Sequence, residues 1–124
     1  MRINEYNNLE DFIFEYSKGA EFSWQNKEKR RRYMGIEFSY HHCYYRMCRE
    51  PIDEKKRPIL DNGKRALYDV MLINCGKDGY PGLDHYDLIG WYADLDDVLD
   101  HCIIEGRPFK EVIMDDDTEI LSKD

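Results

Sequence analysis

Histidine and cysteine crowd together once in this chain of 124 residues: His41, His42, Cys43 and Cys48 sit close, and Cys75 and the pair His101-Cys102 come later. A structural zinc needs about four ligands, usually as Cys-x2–4-Cys or His-x3–5-His pairs. Here the two cysteines are followed by no second pair of that kind. If the segment is a strand, His42 and Cys43 point to opposite faces. Cys75 and His101-Cys102 would complete a site only by folding onto it, and buried free cysteines are the ordinary alternative. A thiol nucleophile needs a base within reach and a positive environment. Adjacent strand residues do not face each other, and Cys102 falls on the apolar side of an acidic segment, which raises a thiol pKa. No metal and no cofactor are expected.

Carboxylates form the second group. Asp115, Asp116, Asp117 and Glu119 have the composition of a cation site but lack the glycine and the twelfth-position glutamate of a calcium loop. Asp94-Leu95-Asp96-Asp97 fails in the same way. Gly76, Gly79 and Gly82 lack the lysine and the following helix of a phosphate-binding loop. The third group is rich in tyrosine and arginine: Arg31, Arg32, Tyr33, Tyr40, Tyr44, Tyr45, Arg46 and Arg49. Both residue types are enriched at the energetic centres of interfaces. Stacked aromatics beside arginines also suit single-stranded nucleic acid.

These residues need elements to hold them. Leu9, Phe12, Ile13 and Tyr16 repeat at helical spacing, so residues 8–18 read as a helix, capped by Asn7 or Asn8 and ended at Gly19. Residues 20–24 alternate and read as a half-buried strand. Residues 34–40 and 43–48 alternate too and read as two strands joined near His41-His42, although the Asn-Gly or Asp-Gly of a tight hairpin is absent. Residues 51–64 read as a long loop, 67–74 as a central strand, 76–87 as a second loop, and 88–92 as a short strand with Ile89 and Trp91 on one face. Asp94 caps a helix over 94–102 whose stripe is Leu95, Val98, Leu99 and Cys102. Pro108 opens a helical turn through Phe109, Val112 and Ile113, and 118–121 is the last strand. This order predicts an α+β fold in one domain. An antiparallel sheet of about five to six strands would carry an N-terminal and a C-terminal helix on one face. The expected core is Phe12, Phe22, Ile36, Phe38, Val70, Leu72, Trp91, Leu95 and Leu99.

Charge is uneven. Residues 1–66 carry a net +3 and residues 67–124 a net −11, for a total of −8. A phosphate backbone would be repelled by most of such a surface, so general nucleic-acid binding is disfavoured. No apolar run approaches the roughly 18 residues of a membrane-spanning helix. The first eight residues lack the apolar stretch of a signal peptide, so a cytoplasmic protein with reduced cysteines is expected.

Two stretches carry a resemblance. Leu9-Glu10-Asp11-Phe12-Ile13 with Ser17-Lys18-Gly19-Ala20-Glu21-Phe22, and Ile89-Gly90-Trp91-Tyr92 through Ile104-Glu105-Gly106-Arg107-Pro108-Phe109, resemble small uncharacterised proteins of phages and mobile elements of Firmicutes. The resemblance implies an accessory protein, with inhibitors of bacterial defence such as anti-CRISPR proteins among the roles. Such inhibitors are often acidic and occupy basic channels.

The leading expectation is a non-enzymatic protein-binding module that meets a protein partner with a basic surface. Its candidate contacts are Asp94, Asp96, Asp97, Asp100, Asp115, Asp116 and Asp117, with Tyr44, Arg46 and Arg49. The alternatives are a nucleic-acid-binding module using residues 29–49 and a small metal- or thiol-dependent enzyme.

Overall fold

Asn8 starts the first helix, α1 (Leu9–Tyr16), by accepting the Asp11 N–H on its side chain at 3.0 Å. Glu10 and Asp11 sit in the first turn, where carboxylates suit the positive end of the helix dipole. Phe12 and Tyr16 form the buried stripe. In the computed structural model, which describes residues 3–17, 33–75 and 87–123, the chain then forms β1 (Gly35–Tyr40) and β2 (Cys43–Arg49). These two strands are joined by His41 and His42, both left-handed, at φ 48° and 65°. That geometry matches the twist of the strands, and histidine is among the residues that tolerate it.

Residues 51–64 are more ordered than a loop. Asn62-Gly63 turns a small hairpin of β3 (Leu60–Asp61) and β4 (Lys64–Arg65), and Ile52 bridges Pro58. Next come β5 (Tyr68–Cys75), β6 (Asp87–Tyr92), α2 (Leu95–His101), a short hairpin of β7 (Ile103–Ile104) and β8 (Arg107–Pro108), α3 (Phe109–Ile113) and β9 (Glu119–Lys123). The main sheet has five antiparallel strands in the order β6-β5-β2-β1-β9. The fold is α+β. The expected strand at 20–24 and Phe22 lie outside the described residues.

One core joins the helices to one side of the sheet. Ile36, Phe38 and Tyr40 of β1, Tyr45 and Met47 of β2, and Tyr68 and Val70 of β5 pack with Phe12 and Tyr16, with Leu95, Val98 and Leu99, and with Phe109, Val112 and Ile113. Phe109 meets Phe38 edge-on at 5.7 Å between ring centres. Two phenols stitch α1 to the sheet: Tyr16 donates to the Gly35 carbonyl at 3.0 Å, and Tyr68 donates to the Tyr16 carbonyl at 2.5 Å. Both hydroxyls are thereby satisfied inside the core, where an unpaired one would cost about 1–3 kcal/mol. Leu72 is half-buried against the same cluster.

Two sequence expectations are corrected. Trp91 is not in the core; it is 39% exposed. Val70 pairs with Gly90 and Met71 with Leu88, so Ile89 is the extra residue of a bulge. The bulge breaks the alternation: Ile89 packs against the core, while Trp91 lies opposite Asp69. The cysteines are not all reduced either, because Cys43 and Cys75 form a disulfide. They are directly opposed across β2 and β5, with Cα atoms 4.0 Å apart. Register made this pair, and a compartment argument from the N-terminal residues does not see register. Cys48 and Cys102 remain thiols. Among the described residues, no helix is long and apolar enough to cross a membrane.

Candidate protein-binding site

The turn from α3 into β9 carries Asp115, Asp116 and Asp117 and is clamped from several directions. Asp115 Oδ1 accepts the Asp117 N–H at 2.8 Å, and the Asp115 carbonyl accepts the Thr118 N–H at 3.0 Å. Buried Thr118 donates its hydroxyl to the Val112 carbonyl. From the N-terminal segment, Asn4 Nδ2 donates to the carbonyls of Ile113 and Asp115, and the Ile3 N–H donates to the Asp116 carbonyl at 3.0 Å. Asp117 is therefore presented by a fixed backbone.

On the sheet, Tyr44 and Ser39 pair across β1 and β2, and Ser39 pairs with Glu119 of β9. Directly paired residues share a face. This face is opposite the one that carries Ile36, Phe38 and Tyr45. Together with Ile3, His41, His42 and Asp117, these side chains line an open hollow of about 510 Å³. Tyr44 is also a wall of an adjoining hollow of about 350 Å³, lined by Glu37, Leu121 and Ser122. Of the residues expected to meet a partner, Tyr44 and Asp117 are the two brought together here. Ile3, Ser39, His41, His42 and Glu119 complete the hollow. In the sequence Glu119 reads as a candidate cation ligand, and His41 and His42 as candidate metal ligands at the join of two strands; none of the three reads as a partner contact. The alternation of 119, 39 and 44 onto one face becomes visible only once the pairing of β9 with β1 is known.

Most of the other candidates hold the fold. Asp94 caps α2 by accepting the Asp97 N–H at 2.8 Å. Asp97 accepts the Ala93 N–H at 3.0 Å and lies 2.7 Å from His101 Nδ1; the backbone bond first, then the histidine, holds its carboxyl below the usual range. Asp100 pairs with Lys110 at 2.9 Å. Asp115 pairs with Arg107 at 2.5 Å. Arg46 gives its charge to Glu37 at 3.1 Å and an Nε–H to the Cys48 sulfur at 3.0 Å. Arg49 donates from Nη1 to the Tyr33 carbonyl at 3.4 Å. Asp96, Asp116 and Asp117 are exposed.

Among the described residues, no three His, Cys, Asp or Glu side chains gather in a way that could hold a metal ion. Burial pushes the Cys102 thiol up to about 11, despite a hydrogen bond with Tyr92 that lowers it, so it is not an anion at neutral pH. The hollow offers two carboxylates, a phenol, a hydroxyl and imidazoles on a rigid frame. That set suits recognition of a cationic group. Comparison with protein-family models, with curated proteins and with solved structures finds no match.

Proposed function

We propose that the protein is a non-enzymatic binding module for a protein partner with a basic surface. In its finer form the proposal is a mobile-element inhibitor that occupies the basic channel of a host defence nuclease. The observation that supports this reading is the balance of charge over residues 87–123, which hold 11 carboxylates against 3 cations. Each of those cations is already engaged: Arg107 with Asp115, Lys110 with Asp100, and Lys123 with Glu15 at 3.2 Å. Exposed carboxylates such as Asp96 and Asp117 are left to face solvent. Such a surplus attracts a basic surface over roughly 8–10 Å at physiological salt and acts mainly on the association rate.

The test is capture from bacterial lysate, followed by rate measurements on the purified pair. A partner that elutes with salt and associates about tenfold more slowly with Asp96→Lys/Asp117→Lys supports the reading. A partner that binds the reversed variant as fast as wild type at low salt overturns it.

A further inference from the structure

We infer that the hollow beside the β1–β2 turn is the anchor point for an arginine side chain of the partner. This rests on the binding reading above and narrows it from a charged surface to one pocket. Asp117 lies in the turn two positions before Glu119, the first residue of β9, and both line the hollow. Among the described residues neither side chain is engaged by another protein group, unlike Asp94, Asp97, Asp100 and Asp115. Tyr44 supplies an aromatic wall and Ser39 a hydroxyl, and His42 closes the turn end.

A guanidinium fits this set on three counts. Its planar fork bonds to carboxylates in a bidentate way. Its flat face stacks on an aromatic ring. It is weakly hydrated for a cation, so entering a hollow costs it less than it costs a lysine ammonium. The frame is also fixed in advance. The turn bearing Asp117 is held by Asn4, Ile3 and Asp115, and Ser39 and Tyr44 are held by sheet pairing. Little side-chain and loop ordering remains to be done on binding, which favours affinity.

The test uses the full chain and a fluorescein-labelled hexaarginine peptide, followed by anisotropy at low ionic strength. Three double variants each remove the same charge: Asp117→Asn/Glu119→Gln in the hollow, Asp96→Asn/Asp100→Asn on α2, and Glu10→Gln/Glu54→Gln elsewhere. The expected result is a loss of about tenfold for the hollow variant, within about twofold of wild type for Glu10→Gln/Glu54→Gln, and weaker wild-type binding of hexalysine. Equal loss in all three variants, or hexalysine binding as tightly as hexaarginine, overturns the pocket. Loss confined to the α2 variant overturns the pocket but leaves the acidic binding reading standing. No saturable binding of either peptide by wild type overturns both. Thermal melts of the variants confirm that each is folded.

Discussion

Arg107 joins two parts of the molecule with one nitrogen: its Nη1 donates to Asp115 Oδ2 at 2.5 Å and to the Tyr40 hydroxyl at 2.9 Å. The α3–β9 turn is thereby tied to the end of β1, next to the histidine turn. His41, stacked on Tyr40 at 3.8 Å between ring centres, extends the same tie to Glu105 at 3.1 Å. The walls of the hollow come from segments far apart in the chain, and this set of contacts keeps them in register.

Asp115 should make that tie dependent on pH. The Asp117 backbone N–H, then Arg107, hold its carboxyl below the ordinary 3.8. A carboxyl lowered by folding contributes stability above its unfolded value and loses it as pH falls through the lower folded value. Asp115→Asn should therefore cost about 1–2 kcal/mol at neutral pH and progressively less below pH ~3.8. Urea denaturation at neutral and at acid pH, compared with wild type, measures both.

The core makes a contrast between two aromatics. Phe38 is fully buried between Phe109 and Tyr45, at 5.7 and 5.4 Å, whereas Trp91 is 39% exposed on the other face. Phe38→Ala should cost roughly 3–5 kcal/mol, and Trp91→Ala no more than about 1.5 kcal/mol. Chemical denaturation of the two variants gives the comparison. Equal costs would place Trp91 in a core contact that its exposure denies.

The pattern of this contrast says what the sequence can carry. The helical stripes Leu9–Phe12–Ile13–Tyr16 and Leu95–Val98–Leu99–Cys102 were legible because helical burial repeats with a fixed period. The caps Asn8 and Asp94 were legible because a side-chain acceptor before such a stripe has one main use. Strands β1 and β2 were legible from alternation even without a glycine turn. Trp91 was misread because a bulge is a property of two strands, and one strand alone does not announce it. The disulfide and the hollow failed for the same reason: Cys43 meets Cys75, and Tyr44 meets Glu119 through Ser39, only after the register is set. The acid runs were legible as charge. The division of that charge into caps, ion pairs and unengaged carboxylates was not.

Asp69 lies on that opposite face with Trp91 and is 4% exposed; among the described residues its Oδ1 has no hydrogen-bond partner. Burial raises its pKa to about 6, against the lowering effects of the Cys48 backbone and Arg46. A carboxyl raised by folding binds a proton more readily folded than unfolded, so stability falls as pH rises from about 3.8 to about 6 and stays low above that. Asp69→Asn removes the buried charge. It should raise unfolding free energy at neutral pH by about 1–2 kcal/mol and give no gain near pH ~4. A gain that is the same at both values would mean that charge is not the cause.

The disulfide yields a counting experiment. Denatured without reductant, the chain should show two thiols to alkylation, Cys48 and Cys102, and all four after reduction, with Cys43 and Cys75 found in one linked peptide pair. The bond closes a loop of sequence separation 32, which in the chain-entropy picture constrains the unfolded state by roughly 3–4 kcal/mol. Cys75→Ser should lower stability by up to that amount under non-reducing conditions. In excess reductant the difference from wild type should shrink toward zero.

Among the described residues the acids of α2 separate into one without a partner, Asp96, and two that are engaged, Asp97 and Asp100, and this decides which of them reports on binding. Asp97 accepts the Ala93 N–H and pairs with His101 one turn on, so Asp97→Lys removes a first-turn acceptor and places a cation at the positive end of the helix. That should cost about 1–2 kcal/mol. Asp100→Lys sets two cations together by replacing the partner of Lys110, which should cost a few tenths of a kcal/mol at an exposed site. Asp96 is exposed and has no partner among the described residues, so Asp96→Lys should stay within about 0.5 kcal/mol of wild type. Thermal or urea unfolding of the three single variants fixes the order. If Asp97→Lys melts like wild type, its contacts to Ala93 and His101 hold nothing. If the expected order is found, a slowed association in Asp96→Lys reads the surface charge alone, while one in Asp97→Lys mixes charge with a frayed helix.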